Sequence, residues 1–260
     1  MLVVISPAKR LDWSSVNVAP TAPAFQKEAT RLAGHARQLT LGGLKSLMGL
    51  SDDLARLNRD RFRAFAAEPS PETLKPALYA FAGDTYQGFD AATLSETALD
   101  YAGAHLRILS GLYGLLRPTD GIQPYRLEMG SRLKSRRGPN LYAFWGDEIS
   151  KALNAQAEET SSSVLVNCAS QEYFGAVDLK RLRLDVVTPD FYEVKDGEAK
   201  MISFFAKRAR GAFARYIIDN QVTTMDGLKD FRTDGYVFKA GDDRPGRLAF
   251  YRDASRQEAA

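Results

Sequence analysis

The chain predicts an α/β fold, a single domain with a mixed β-sheet flanked by helices, and three observations carry that expectation. Short apolar runs bounded by turn residues alternate with stretches of helical periodicity along the whole length, which favours interleaved strands and helices over a bundle or a sandwich. The 260 residues are 45% hydrophobic, enough to furnish an extensive core. No internal repeat or long linker divides them, and the segments richest in Pro, Ser and Thr, 19–24 and 160–163, are loop-sized. One domain over residues 1–252 with a frayed tail at 253–260 follows.

Met1-Leu-Val-Val-Ile5 reads as a short buried strand, ended at Ser6-Pro7 because proline cannot donate to a ladder. The Ser6-Pro7-Ala8-Lys9 loop therefore stands at a strand end, the place where ligands collect in open α/β sheets. Helical periodicity covers 25–37, and 44–65 reads as two shorter helices around Gly49. Residues 78–81 predict a strand. Ser95 suits the N-cap of a helix running to about Arg107, and Ile108-Leu109 begins another apolar segment. A helix over 142–158 and a buried strand over 164–168 come next. Residues 184–194 and 200–204 flank Asp196-Gly197 as a hairpin. A helix over 205–219 follows, and 236–238 pairs with 247–251 across the loop from Gly241 to Gly246.

Several function classes are poorly supplied. Met1-Leu-Val-Val-Ile5 lacks the basic start and the length of a signal peptide, and no run approaches the roughly 18 apolar residues of a membrane span. A soluble, cytoplasmic chain without membrane association is expected, with a monomer as the default. Cys168, the single cysteine, cannot form an internal disulfide, and in its apolar run it reads as a small buried hydrophobe. His35 and His105 are the only histidines, neither with a partner at metal-ligand spacing, so no metal is expected. Gly111 and Gly114 form neither a Walker loop nor a dinucleotide fingerprint, and no cofactor is expected.

A net charge of +3 is mildly basic, so distribution matters more than the total. At 100° per residue, the 205–218 helix puts Phe205, Ala209, Ala212, Phe213, Tyr216 and Ile217 on one arc and Lys207, Arg208, Arg210 and Arg215 on the other. The plain reading is a solvated charged face. Two details favour an anionic ligand: the cationic arc has no Asp or Glu for i,i+4 pairing, and Gly211 with Ala214 leaves a low spot where a backbone or a phosphate could approach. Residues 106–130 embed Arg107, Arg117, Arg126, Tyr113 and Tyr125 among turn-forming glycines and prolines. As a nucleic-acid surface, these arginines would take phosphates and the tyrosines would stack on bases. As structure, the tyrosines would fill core and the arginines would pair with Asp120 and Glu128. Lys9, Tyr113 and Glu172 also permit a catalytic reading, in which a desolvated lysine is base or nucleophile toward a small anionic or nucleotide-like substrate. The basic run at 132–137 is most simply an exposed loop.

In order and spacing, Ser6-Pro7-Ala8-Lys9, Leu109-Ser-Gly-Leu-Tyr-Gly114, Arg117-Pro118, Pro124-Tyr-Arg-Leu-Glu-Met-Gly130, Leu141-Tyr-Ala-Phe-Trp-Gly146, residues 167–174 and Phe205-Ala-Lys-Arg-Ala-Arg-Gly211 resemble the YaaA peroxide-stress family over nearly the whole chain. The resemblance implies a cytosolic protein that limits hydrogen-peroxide damage, in the best-studied members by lowering available iron. It also implies a positively charged cleft and a helix-hairpin-helix-like element that bind DNA, double-stranded or branched. That element should fall at about 41–65, with Lys45 and Arg56 near a phosphate at the second helix start, where Asp52-Asp53 would cap the helix well but repel the anion. Lys9, the Arg107 to Arg126 segment and the Lys207 to Arg215 helix are then expected to face one another across the cleft.

Overall fold

A computed structural model describes residues 1–241 and 244–253. In chain order the strands are β1 (Leu2–Ile5), β2 (Arg10–Leu11), β3 (Lys75–Pro76), β4 (Phe81–Ala82), β5 (Leu106–Ser110), β6 (Gly114–Leu116), β7 (Gly121–Ile122), β8 (Val164–Cys168), β9 (Asp185–Lys195), β10 (Glu198–Lys200), β11 (Val237–Phe238) and β12 (Arg247–Asp253). The helices are α1 (Gln26–Arg37), α2 (Leu41–Met48), α3 (Asp52–Ala64), α4 (Ala77–Ala80), α5 (Asp84–Phe89), α6 (Glu96–His105), α7 (Leu141–Trp145), α8 (Glu148–Glu159), α9 (Gln171–Phe174), α10 (Ser203–Asp219) and α11 (Met225–Lys229).

The main sheet has the order β11-β12-β9-β8-β1-β5-β6, with β10 paired to β9. Strands β12, β9, β8, β1 and β5 run parallel, while β6, β10 and β11 join antiparallel, so the sheet is mixed as expected. Every residue of β1 is buried, which is why this strand reads as an unbroken apolar run rather than an alternation: a parallel strand is covered on both faces. Helix α10 packs on β9, β1 and β8 and against α5 and α6. Among the described residues no helix is long and apolar enough to cross a membrane.

Five local expectations need correction. Residues 78–81 are not a strand: 77–80 close the helical turn α4, and only Phe81 enters β4. A four-residue apolar run has no periodicity that separates the two forms. The 142–158 helix is two helices, α7 and α8, broken at Gly146, whose φ of 52° and ψ of −119° stop the helical path. Helix α6, capped by the Ser95 hydroxyl as expected, ends at His105, and Arg107 belongs to β5. The hairpin turns at Asp196-Gly197, both with positive φ, yet its second strand is 198–200, because α10 already begins at Ser203 and takes Phe204. Residue 253, expected in the tail, is the last of β12, and 254–260 lie outside the described residues.

Helices α5 and α10 cross with their backbones close together. Gly211 faces the carbonyl of Thr85, and Gly88 faces the carbonyl of Arg208, so each helix presents its glycine to the other's backbone. The low spot expected at Gly211 is therefore filled by a backbone. This contact fixes where α10 places its cations.

Candidate functional site

Strands β1 and β8 are neighbours, but the chain leaves them in opposite directions: β1 leads toward β5 on one side, and β8 leads to β9 on the other. Their carboxyl ends thus open a crevice at a topological switch point, where open α/β sheets hold ligands. A cavity of about 540 Å3 lies there. The β1 loop and the β8 loop form two walls, tied together because Ser6 Oγ accepts from Ser170 N at 2.9 Å and donates to Ser170 Oγ at 3.4 Å. Tyr86 Oη donates to the Ser6 carbonyl at 3.1 Å and joins α5 to the same wall. Helix α10 closes the remaining side with Lys207 and Arg210.

Four cations line this cavity, Lys9, Arg10, Lys207 and Arg210, against the carboxylates Asp84 and Glu172. Lys9 reaches Glu128 at 3.5 Å, whereas Arg10, Lys207 and Arg210 have no hydrogen-bond or ion-pair partner among the described residues. Arg210 is half-buried and its burial lowers the guanidinium pKa; nearby Cys168 and Asp190 oppose that shift. Asp190 itself is engaged by Arg247. An arginine desolvated without a fixed acceptor is an expensive arrangement for a folded chain, and an anion in the cavity would relieve it. Glu172 accepts from Gly130 N at 2.9 Å, which holds its carboxylate at the rim.

The structure brings together Lys9, Lys207, Arg210 and Glu172 and leaves the other expected residues elsewhere. Arg107 points away from the cavity at the opposite end of β5, 4% exposed, donating to the carbonyls of Gly103 and Leu106 and to Gln156 Oε1. Burial lowers its pKa to about 10. Arg117 is held by Asp120 and the Ala22 carbonyl. Tyr113 is fully buried and its hydroxyl accepts from Gln123 N, while Tyr125 bonds Ser110 Oγ, so both are core residues, consistent with the structural reading of the 106–130 segment. Arg126 is paired with Glu128 beside Lys9. On α10, Arg215 pairs with Asp219 at i,i+4 and donates to the carbonyls of Phe89 and Asp90, and Arg208 lies 3.7 Å from Asp234. The expectation of four cations without internal partners therefore fails for two of them, because Asp219 lies one residue beyond the window considered and Asp234 comes from a distant turn.

The α2–α3 hairpin turns at Gly49, which has φ of 60°, and Ser51 Oγ caps α3 by accepting from Leu54 N. Lys45 is engaged by Asp52 at 2.6 Å, and Arg56 is exposed on α3; neither lines the cavity. A second concavity, of about 790 Å3, runs between α2 and the 130–134 segment, lined by His35, Ser46, Gly130, Arg132 and Lys134. Arg132 and Lys134 are exposed and have no hydrogen-bond or ion-pair partner among the described residues. Gly130, bonded to Glu172, sits between the two concavities. From sequence alone 132–137 is a solvated basic loop, since nothing in it says which helix it faces.

Cys168 forms the cavity floor at 2% exposure. Burial pushes its thiol pKa up to about 12, so the thiol stays protonated at pH 7. Peroxide attacks the thiolate, and Cys168 is accordingly expected to be inert toward it. Native protein should react with a thiol reagent orders of magnitude more slowly than unfolded protein at pH 7. Rapid labelling of the native thiol would contradict the assignment.

Comparison with known proteins adds a family. The family model described as peroxide stress protein YaaA matches residues 1–242. Similar proteins include a UPF0246 protein of Ruegeria pomeroyi, 62% identical over 97% of this chain and 98% of that protein, and one of Roseobacter denitrificans, 62% identical over the same shares. A UPF0246 protein of a Jannaschia species is 54% identical over the full length of both chains.

Proposed function

The chain belongs to the YaaA peroxide stress family, and we propose that it serves peroxide protection by binding nucleic acid without sequence preference, helping to limit iron-driven damage to DNA. The observation that carries this reading is the run of unpaired cations from the cavity to the α2 groove: Arg10, Lys207 and Arg210 at one end, Arg132 and Lys134 at the other, with Gly130 between. Such a track suits a phosphodiester backbone, which offers regularly spaced negative charge and no fixed register. Among the described residues no group of three His, Cys, Asp or Glu side chains is arranged to hold a metal ion.

If these five cations and Lys9 each take one phosphate, the affinity for a labelled duplex should fall about 10^3-fold between 50 and 200 mM salt. Lys207→Glu together with Lys134→Glu should weaken binding alike on unrelated duplex and branched sequences, and lower the salt slope by roughly two phosphate contacts. Affinity that ignores salt, or no binding at low salt, rejects the proposal. The catalytic alternative keeps Lys9 and Glu172 at the cavity but loses Tyr113 to the core, and no observation favours it over binding.

A further inference from the structure

The cavity at the β1 and β8 ends is too small for what the surrounding cations attract. Its 540 Å3 equals a cube about 8 Å on a side, whereas the major groove alone of a duplex is about 12 Å wide, so a duplex must stay at the mouth. The volume nevertheless lies within the range of small-molecule sites, roughly 300 to 1,000 Å3. A single nucleotide unit matches it.

We propose that this cavity binds one nucleotide through a terminal phosphate monoester, either as a free mononucleotide or as the phosphorylated end of a strand. Arg210 is the anchor. Its guanidinium is partly desolvated, has no fixed acceptor among the described residues and faces the cavity, the arrangement that a bidentate phosphate completes. Lys207, one helical turn before it on α10, supplies a second charge from the solvent side. Two cations on one helix face suit a dianionic monoester better than the single charge of a backbone diester. The remaining space is walled by Pro7, Ala8, Ala82 and the edge of Tyr173, apolar surface of the kind that accepts a base, with Asp84 and Gln87 as polar groups for its edge. No Walker loop is involved; the cations come from a helix flank rather than a glycine-rich turn.

The strand-borne form rests on the nucleic-acid reading above, and the free form stands without it. The test is calorimetric titration of the full chain with AMP, adenosine, inorganic phosphate, and a short single strand bearing either a 5′-phosphate or a 5′-hydroxyl, all at one salt concentration. At least one phosphate-bearing probe should bind at one per chain and at least tenfold more tightly than its phosphate-free counterpart. AMP alone doing so identifies a free nucleotide, and the strand alone doing so identifies a terminus. AMP should also exceed inorganic phosphate, since the apolar wall contributes only to a nucleotide. Arg210→Gln should erase the monoester preference and Lys207→Ala, at an exposed position, should weaken it severalfold. Arg210→Leu should erase it while leaving the melting temperature of the unliganded protein equal or higher, an outcome that a merely structural arginine would not give. Strands bound equally with and without the terminal phosphate, with AMP no better than adenosine, overturn the proposal and leave the nucleic-acid reading intact. A monoester bound by a protein that ignores duplex DNA does the reverse.

Discussion

Gly211→Ala is expected to destabilise the protein by about 3 kcal/mol or more, the upper end of overpacking effects, although it adds one methyl group to a helix interior where alanine is otherwise preferred. A Cβ at 211 would overlap the carbonyl oxygen of Thr85, with the Thr85 carbonyl carbon at 2.7 Å and Phe89 N at 2.9 Å. Both are backbone atoms of α5 and cannot rotate aside. Relief requires α5 and α10 to move apart, which sacrifices the packing of buried Ala212, Phe213 and Phe89 as well. Gly88→Ala meets the mirror-image obstacle, Arg208 C at 2.9 Å and Ala212 N at 3.0 Å. Because one separation of the helices accommodates both methyls, the double variant should cost clearly less than the sum of the two. Gly34→Ala in α1, where nothing lies within 4 Å, is the control and should be neutral or stabilising by up to about 1 kcal/mol. Urea midpoints of the four variants decide the matter, and a Gly211→Ala midpoint equal to the parent's sinks it. The same displacement would carry Lys207 and Arg210 away from the β1 and β8 loops, so any folded Gly211→Ala population should also bind phosphate ligands less tightly.

How far the fold and site were legible depends on whether a signal was local. The strand at 164–168, the Ser95 cap, the Asp196-Gly197 turn and the 205–219 helix were readable because each is decided by neighbouring residues. Lys9, Lys207 and Arg210, which line the cavity, stand out in the sequence for the same reason: a strand end and a helical arc are sequence properties. What failed needed distant partners. Nothing near Arg215 announces the Phe89 and Asp90 carbonyls, and nothing near Arg107 announces Gln156. Arg132 and Lys134 gain their interest only from α2, which lies some ninety positions earlier in the chain. The glycines at 88 and 211 mark a close approach, but a glycine does not say what approaches it.

Arg252→Leu should cost about 3–5 kcal/mol, the usual loss when one partner of a buried ion pair is removed and the other remains charged. Arg252 is 6% exposed and Glu193 3%. Arg252 Nε donates to Glu193 Oε2 at 3.0 Å, and its guanidinium stacks on Phe205 and Tyr236, 4.8 and 4.6 Å from the ring centroids. Tyr236 Oη donates to the other carboxylate oxygen. Truncation thus strands a carboxylate between β9 and β12 and also strips packing from the first turn of α10. A compensated variant separates these contributions. Arg252→Met with Glu193→Gln keeps volume and an acceptor for Tyr236 while removing both charges, so it should recover most of the stability lost by Arg252→Leu. If the double variant is as unstable as the single one, the loss comes from packing on Phe205 and Tyr236 rather than from the stranded charge. If Arg252→Leu unfolds at the parent's urea midpoint, the pair is not a structural element at all. Either result would also bear on the cavity, because β9 carries Asp190, which holds Arg247 and acts on the charge of Arg210 at the cavity wall.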